Sequence, residues 1–217
     1  MSTSPHIVSD VMTHTVIAVG RDAPFKEVVG LMEQWHVSAV PVLEGEGRVV
    51  GIVSEADLLP KEEFRDSDPN RYDQLRRLTD LAKAGAVCAG ELMSTPAVCV
   101  HADATLAEAA RIMAHRKVKR LPVVNAQDML EGVVSRSDLL KVFLRSDEDI
   151  ADEVRRTVAA DLFPGQPVTV AVTDGVVTFG GTLGNRNMVP VAARLARAVE
   201  GVVDIRMDFT APAPKPR

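Results

Sequence analysis

Cysteine is almost absent from the 217 residues: Cys88 and Cys99 are the two, without C-x-x-C spacing. That excludes a disulfide framework and points to a reducing interior. Aromatic residues make up 4% of a chain that is 46% hydrophobic. The composition is ordinary and globular, rich in Val and Ala rather than in rings. Excess positive charge is missing as well. A net charge of -5 and a pI of about 5.6 argue against a whole-surface attraction to nucleic acid or anionic lipid. No apolar run approaches the roughly 18 residues of a membrane span. The start, MSTSPHIVSD, has no basic region followed by an apolar core, so no signal peptide is expected and the cytoplasm is the expected location. The five histidines are scattered, and neither H-E-x-x-H, G-x-S-x-G nor a P-loop occurs. No catalytic residue, no metal ligand and no required cofactor is expected, and an enzyme is the weakest class.

What the chain does have is an internal repeat. Laying Val11 on Leu92, an offset of 81, puts Met12 on Met93, Asp22 on Asp103, Glu27 on Glu108 and Met32 on Met113. In the same register Pro41-Val42 falls on Pro122-Val123, Gly51 on Gly132, and VSEADLL (Val53 to Leu59) on VSRSDLL (Val134 to Leu140). The register does not slip over roughly fifty residues. Two copies of one supersecondary unit are present.

Both copies read alike. Val16 to Val19 and Val98 to Val100 look like strands, with Asp22 and Asp103 at the N-cap of a following helix. Apolar residues at helical spacing follow: Val28, Leu31 and Met32, then Ala109, Ile112 and Met113. Two β-rich runs come next, Ala39 to Leu43 with Arg48 to Val53, and Leu121 to Val124 with Leu130 to Val134. Ser54 and Ser135 open a second helix. The predicted unit is β-α-β-β-α, and two copies must pack together to bury their sheet faces.

The blocks VMT, TVIAV, VSAVPVLE and GIVSEADLL, repeated as LMS, AVCV, VKRLPVVN and GVVSRSDLL, resemble the CBS motif. The resemblance implies a pseudo-twofold pair, with motif 1 over 8–60, a charged and partly helical linker over 61–89, and motif 2 over 90–145. It also implies clefts that bind adenosine-containing molecules such as AMP, ADP, ATP or S-adenosylmethionine, and a homodimer formed through the module. Carried over residue by residue, Ser54 with Asp57 and Ser135 with Asp138 would hold phosphate and ribose. Adenine would lie near Val16-Ile17 and Val40-Pro41, or near Ala97-Val98 and Leu121-Pro122. The chemistry is sound, since a carboxylate accepts from vicinal hydroxyls and a helix N-terminus offers free N–H groups. S-x-x-D before a helix is equally a capping box, and the two roles are compatible.

The copies differ in charge. The second carries Arg116, Lys117, Lys119 and Arg120, plus Arg136, where the first has Trp35, His36, Ser38, Ala39 and Glu55. A phosphorylated ligand is therefore expected at the cleft reached by Arg120 and Arg136. The competing reading is a solvated helix end that complements the helix dipole. In the linker, Leu75, Leu78 and Leu81-Ala82 predict a helix stopped by Gly85, with Tyr72 and Arg76-Arg77 on a solvated face or, as the alternative reading, touching a ligand or partner.

After Ser146 the texture changes. Ile150, Val154, Val158 and Leu162 predict a helix ended by Phe163-Pro164-Gly165. VTVAV and VVTFGG predict a hairpin about Asp174-Gly175. A helix from near Asn187, with Pro190 in its first turn, runs to Gly201, and VVDIRMDF is a last strand. VTVAVTDGVVTFGGTLGNRNM followed by ARAVEGVVDI resembles the BON domain over 148–210, with Phe179 and Leu183 departing mildly from its usual residues. Residues 211–217 read as a disordered tail. The fold class expected is α/β (α+β): two CBS motifs and a small α-β-β-α-β BON-like domain.

Two functions fit. The first is a regulatory protein in which an adenosyl ligand in the CBS clefts controls a BON-like interaction domain. The second is a constitutive dimeric scaffold whose BON-like domain binds a protein, lipid or ion without nucleotide control. Nucleic acid is not an expected partner in either.

Overall fold

The computed structural model describes residues 6–65, 77–183 and 187–210. The chain divides into two units, one from His6 to Asp138 and one from Leu139 onward. The predicted tail, Tyr72, Leu75, Arg76 and Gly184 lie outside the described residues.

In the first unit the 81-residue offset relates every element except the connector helix. Short helices α1 (Val8–Val11) and α5 (Ala89–Leu92) correspond, as do strands β1 (Val19–Gly20) and β4 (Val100–His101). Helix α2 (Phe25–Trp35) answers α6 (Leu106–Arg116). The hairpin β2 (Ala39–Glu44) with β3 (Arg48–Ser54) answers β5 (Arg120–Val124) with β6 (Leu130–Ser135). Helix α3 (Glu55–Glu63) answers the shorter α7 (Arg136–Leu139), and α4 (Leu78–Gly85) connects the copies. Each copy forms a three-stranded sheet, ordered β1-β2-β3 and β4-β5-β6, with one parallel and one antiparallel pairing. Val40, Val42 and Val53 are fully buried in the first sheet, and Leu121, Val123 and Val134 in the second. That is the full burial expected of continuous apolar runs.

Two local expectations are corrected. The strands before α2 and α6 are only two residues long, because Val16, Ile17 and Val98 line cavities instead of pairing. Asp22 and Asp103 are not N-caps. A tight turn follows each strand, with Ala23 N–H on the Gly20 carbonyl at 3.2 Å and Ala104 N–H on the His101 carbonyl at 3.2 Å. The helices therefore start after Pro24 and Thr105, and the Thr105 hydroxyl accepts from the Glu108 N–H.

The copies exchange their N-terminal arms. Thr13 pairs with Val133 through bonds of 2.9 and 3.0 Å, and Ser94 pairs with Ile52 through bonds of 2.9 and 3.1 Å. Ala86, Ala89, Leu92 and Met93 belong to the core of the first copy. A Cβ at Gly51 would collide with the Met93 sulfur, and one at Gly132 would sit 2.7 Å from the Met12 sulfur. Each glycine thus makes room for the other copy's methionine. One copy alone would lack part of its own core.

In the second unit Ser146 caps helix α8 (Asp147–Val154), its hydroxyl accepting from the Asp149 N–H at 3.1 Å. A π-helical turn (Arg155–Ala159) and α9 (Ala160–Leu162) continue it. The Thr157 hydroxyl donates to the Glu153 carbonyl at 2.7 Å at that turn, a bond that competes with the regular ladder. β7 (Val168–Thr173) pairs antiparallel with β8 (Val176–Thr182), which pairs parallel with β9 (Asp204–Thr210). The Asp147 carboxylate accepts from the N–H groups of Asp174 and Gly175, both at 2.8 Å, tying the helix start to the hairpin turn. Helix α10 (Val189–Arg197) closes the core around the fully buried Phe179, with Phe163 and Phe209 beside it.

Candidate ligand clefts

The arm exchange builds two cavities, each from both copies. In the first, the end of β3 and the start of α3 supply Ile52, Ser54 and Asp57, while the second copy supplies Ser94, Pro96, Val98 and the run Lys117 to Arg120. Its volume is about 260 Å³. In the second, the first copy supplies Thr13, Thr15, Val16, Ile17, Trp35, Val37 and Pro41, and the second copy supplies Val133, Ser135 and Asp138. Its volume is about 380 Å³. Ala39 and Arg120 line both cavities. These sizes suit a small ligand.

The two S-x-x-D blocks fold alike. Ser54 donates from its N–H (2.7 Å) and its hydroxyl (2.6 Å) to one carboxylate oxygen of Asp57. Ser135 donates to Asp138 in the same way, at 2.9 and 2.6 Å. Capping and cavity lining coexist, because the carboxylate that turns back onto its serine also faces the cleft.

Beyond that the clefts diverge. The second oxygen of Asp57 accepts from Lys83 on α4 and from the Ser94 hydroxyl at 3.2 Å, and Lys83 also donates to Ser94 at 3.2 Å. Among the described residues Asp57 is the one charged residue that is buried. Lys117, Lys119 and Arg120 line the Asp57 cleft together with Glu55, so its wall carries more positive than negative side chains beyond Asp57 itself. The Asp138 cleft has instead the indole of Trp35, half exposed at 52% and the single tryptophan of the chain, with Arg120 as its one lining cation. Arg120 donates to the Ser38 hydroxyl at 2.9 Å between the two.

Of the expected site residues, Ser54, Asp57, Val98 and Arg120 meet at the first cavity, and Val16, Ile17, Pro41, Arg120, Ser135 and Asp138 at the second. Val40 and Leu121 are fully buried in their sheets and line neither. Ala97 and Pro122 lie outside both linings. Arg136 is not at a cleft. Its guanidinium donates to the Val118 carbonyl at 2.9 and 3.2 Å, so Lys117 and Lys119 take the place expected for it. Sequence reasoning missed Ser94, Thr13 and Lys83. The arm residues escaped because the exchange is not visible in a linear alignment, and Lys83 because it sits in a charged linker. Cys99 is half-buried, and that burial pushes its thiol pKa up to about 11, with a smaller contribution from Asp128. Among the described residues no cluster of metal-ligating side chains occurs, and no helix is long and apolar enough to cross a membrane.

This cross-copy architecture is that of a CBS pair. The CBS domain pattern matches residues 8–61 and 89–145, and the BON domain pattern matches 146–212. The chain belongs to the CBS domain family and carries a BON domain after its CBS pair. Over 132 residues it is 28% identical to inosine-5'-monophosphate dehydrogenase of Methanocaldococcus jannaschii, which is 61% of this chain and 22% of that enzyme. The crystal structure of CBSX2 in complex with AMP, CBSX2 being an Arabidopsis thaliana protein, superposes with a TM-score of 0.57 at 26% identity. That match covers 64% of this chain and 97% of the other. The CBS domain pair of protein MJ0100, in complex with 5'-methylthioadenosine and S-adenosyl-L-methionine, matches at a TM-score of 0.50 and 18% identity. It covers 64% and 97% of the two chains and shares the fold.

Proposed function

We propose that this is a regulatory protein without catalytic activity, acting in the cytoplasm, whose CBS clefts bind an adenosyl ligand and pass its presence to the BON domain. The observation that carries the reading is the cross-copy construction of the clefts. A ligand touching both copies changes how well they fit together, and a ligand that favours one packing over another shifts the population toward it. The AMP complex of CBSX2 supports the ligand class. The limited share of the dehydrogenase that is matched supports a regulatory module rather than an enzyme.

The clefts suit different members of that class. The excess of positive side chains, Lys117, Lys119 and Arg120 against Glu55, fits a phosphorylated ligand at the Asp57 cleft. The Trp35 indole, with Val16, Ile17 and Val37, fits a base or a less charged adenosyl group at the Asp138 cleft. A homodimer through the CBS pair, and a protein or lipid partner for the BON domain, complete the proposal.

Thermal unfolding with AMP, ADP, ATP, S-adenosylmethionine and a guanosine control tests it. A ligand at about 100 times its Kd adds roughly 2.7 kcal/mol, enough to raise Tm by several degrees. The expected result is a rise with an adenosyl ligand, reduced by Asp57→Ala or Asp138→Ala. No rise with any of them, from a folded protein, would favour the constitutive scaffold.

A further inference from the structure

The connector helix α4 (Leu78–Gly85) has no buried residue. Three polar ties seat it against α3: Arg77 pairs with Glu63, Lys61 donates to the Ala84 carbonyl at 2.9 Å, and Lys83 pairs with Asp57. The third tie is shielded, with the Lys83 and Asp57 side chains 13% and 10% exposed. It also saturates the carboxylate. One Asp57 oxygen holds the N–H and hydroxyl of Ser54, and the other holds the Lys83 ammonium and the Ser94 hydroxyl. A carboxylate has about four acceptor positions, and all are taken by groups of the protein itself.

From this we infer that Lys83, reaching Asp57 from beside the cleft, competes with a ligand for its carboxylate, so that a ribose engages Asp57 only by displacing it, and that the connector helix loses an anchor when it does. The inference rests on the adenosyl-binding reading and names the residue that sets ligand access at one of its clefts. Vicinal hydroxyls need the Asp57 oxygen that Lys83 and Ser94 now share. Breaking one charge-assisted bond sets the size of the effect, about tenfold in affinity. With no buried residue of its own, the helix is held by these ties, and losing one of the three registers in its backbone exchange.

The probe is adenosine, which has no phosphate for Lys83 to attract. Calorimetric titration of wild type, Lys83→Met and Lys83→Gln, each with and without Asp57→Asn, reads Asp57-dependent affinity. Lys83→Gln keeps a neutral donor for the buried carboxylate and guards against a fold lost in Lys83→Met. The expected result is a gain of about tenfold in Lys83→Met and a smaller gain in Lys83→Gln, both of which disappear when Asp57→Asn is added. Amide exchange of residues 78–85 should also quicken in wild type when adenosine is bound. Unchanged or weaker affinity in the Lys83 variants overturns the inference while leaving adenosyl binding intact. Absence of adenosine binding in every form, wild type included, overturns the functional reading and the inference together.

Discussion

At the scale of single residues, the candidate site was half legible. Ser54, Asp57, Ser135 and Asp138 stand out because the repeat displays them twice at one offset. Their partners do not, since Ser94 and Lys83 reach Asp57 across 37 and 26 residues of sequence. Arg77, read in the sequence as part of a solvated face, pairs with Glu63 and Asp80 and lies 4.9 Å from the Phe64 ring. The glycines of the repeat also acquire a reason only in three dimensions. Gly132 faces Met12 and the Thr13 carbonyl, where a Cβ would approach to 2.7 and 3.0 Å, while nothing lies within 4 Å of a Cβ at Gly20. Gly132→Ala is therefore expected to cost about 1–3 kcal/mol by overpacking the arm contact, with Gly20→Ala close to neutral. Chemical denaturation compares them, and equal stability of the two variants would contradict the packing described here.

At the scale of elements, strongly patterned segments were read well and their ends were not. The hairpins β2-β3 and β5-β6 fall within a residue or two of expectation, since their apolar runs and polar turns are local signals. Helices α2 and α6 begin later than the aspartates suggested, because a turn after each short strand uses those residues first. The helix predicted from Ile150 to Leu162 is continuous in position but includes a π turn that periodicity does not reveal. Helix α3 also bears on assembly. Leu59 projects from it at 64% exposure, a single large apolar side chain open to solvent. If the proposed homodimer forms through this helix, Leu59→Glu should shift sedimentation velocity from dimer to monomer without loss of folded signal. A wild-type protein that sediments as a monomer at every concentration would remove the homodimer from the account.

At the scale of the whole molecule, the repeat announced two copies of one unit, but not that each completes the other. Because Thr13 and Ser94 cross over, neither cleft exists within one copy, and any ligand bound there touches both. Residues shared by the two cavities, Arg120 and Ala39, make the clefts neighbours rather than independent sites. The central claim is that these clefts take an adenosyl ligand, and the chain carries its own reporter for it. Trp35 is the single tryptophan and lines the Asp138 cleft. Titrating AMP, adenosine and S-adenosylmethionine while recording tryptophan emission should give a saturable change with at least one of them. That change should be abolished by Asp138→Ala and kept in Asp57→Ala. Emission that stays flat with all three ligands, in a protein shown to be folded, would contradict the claim.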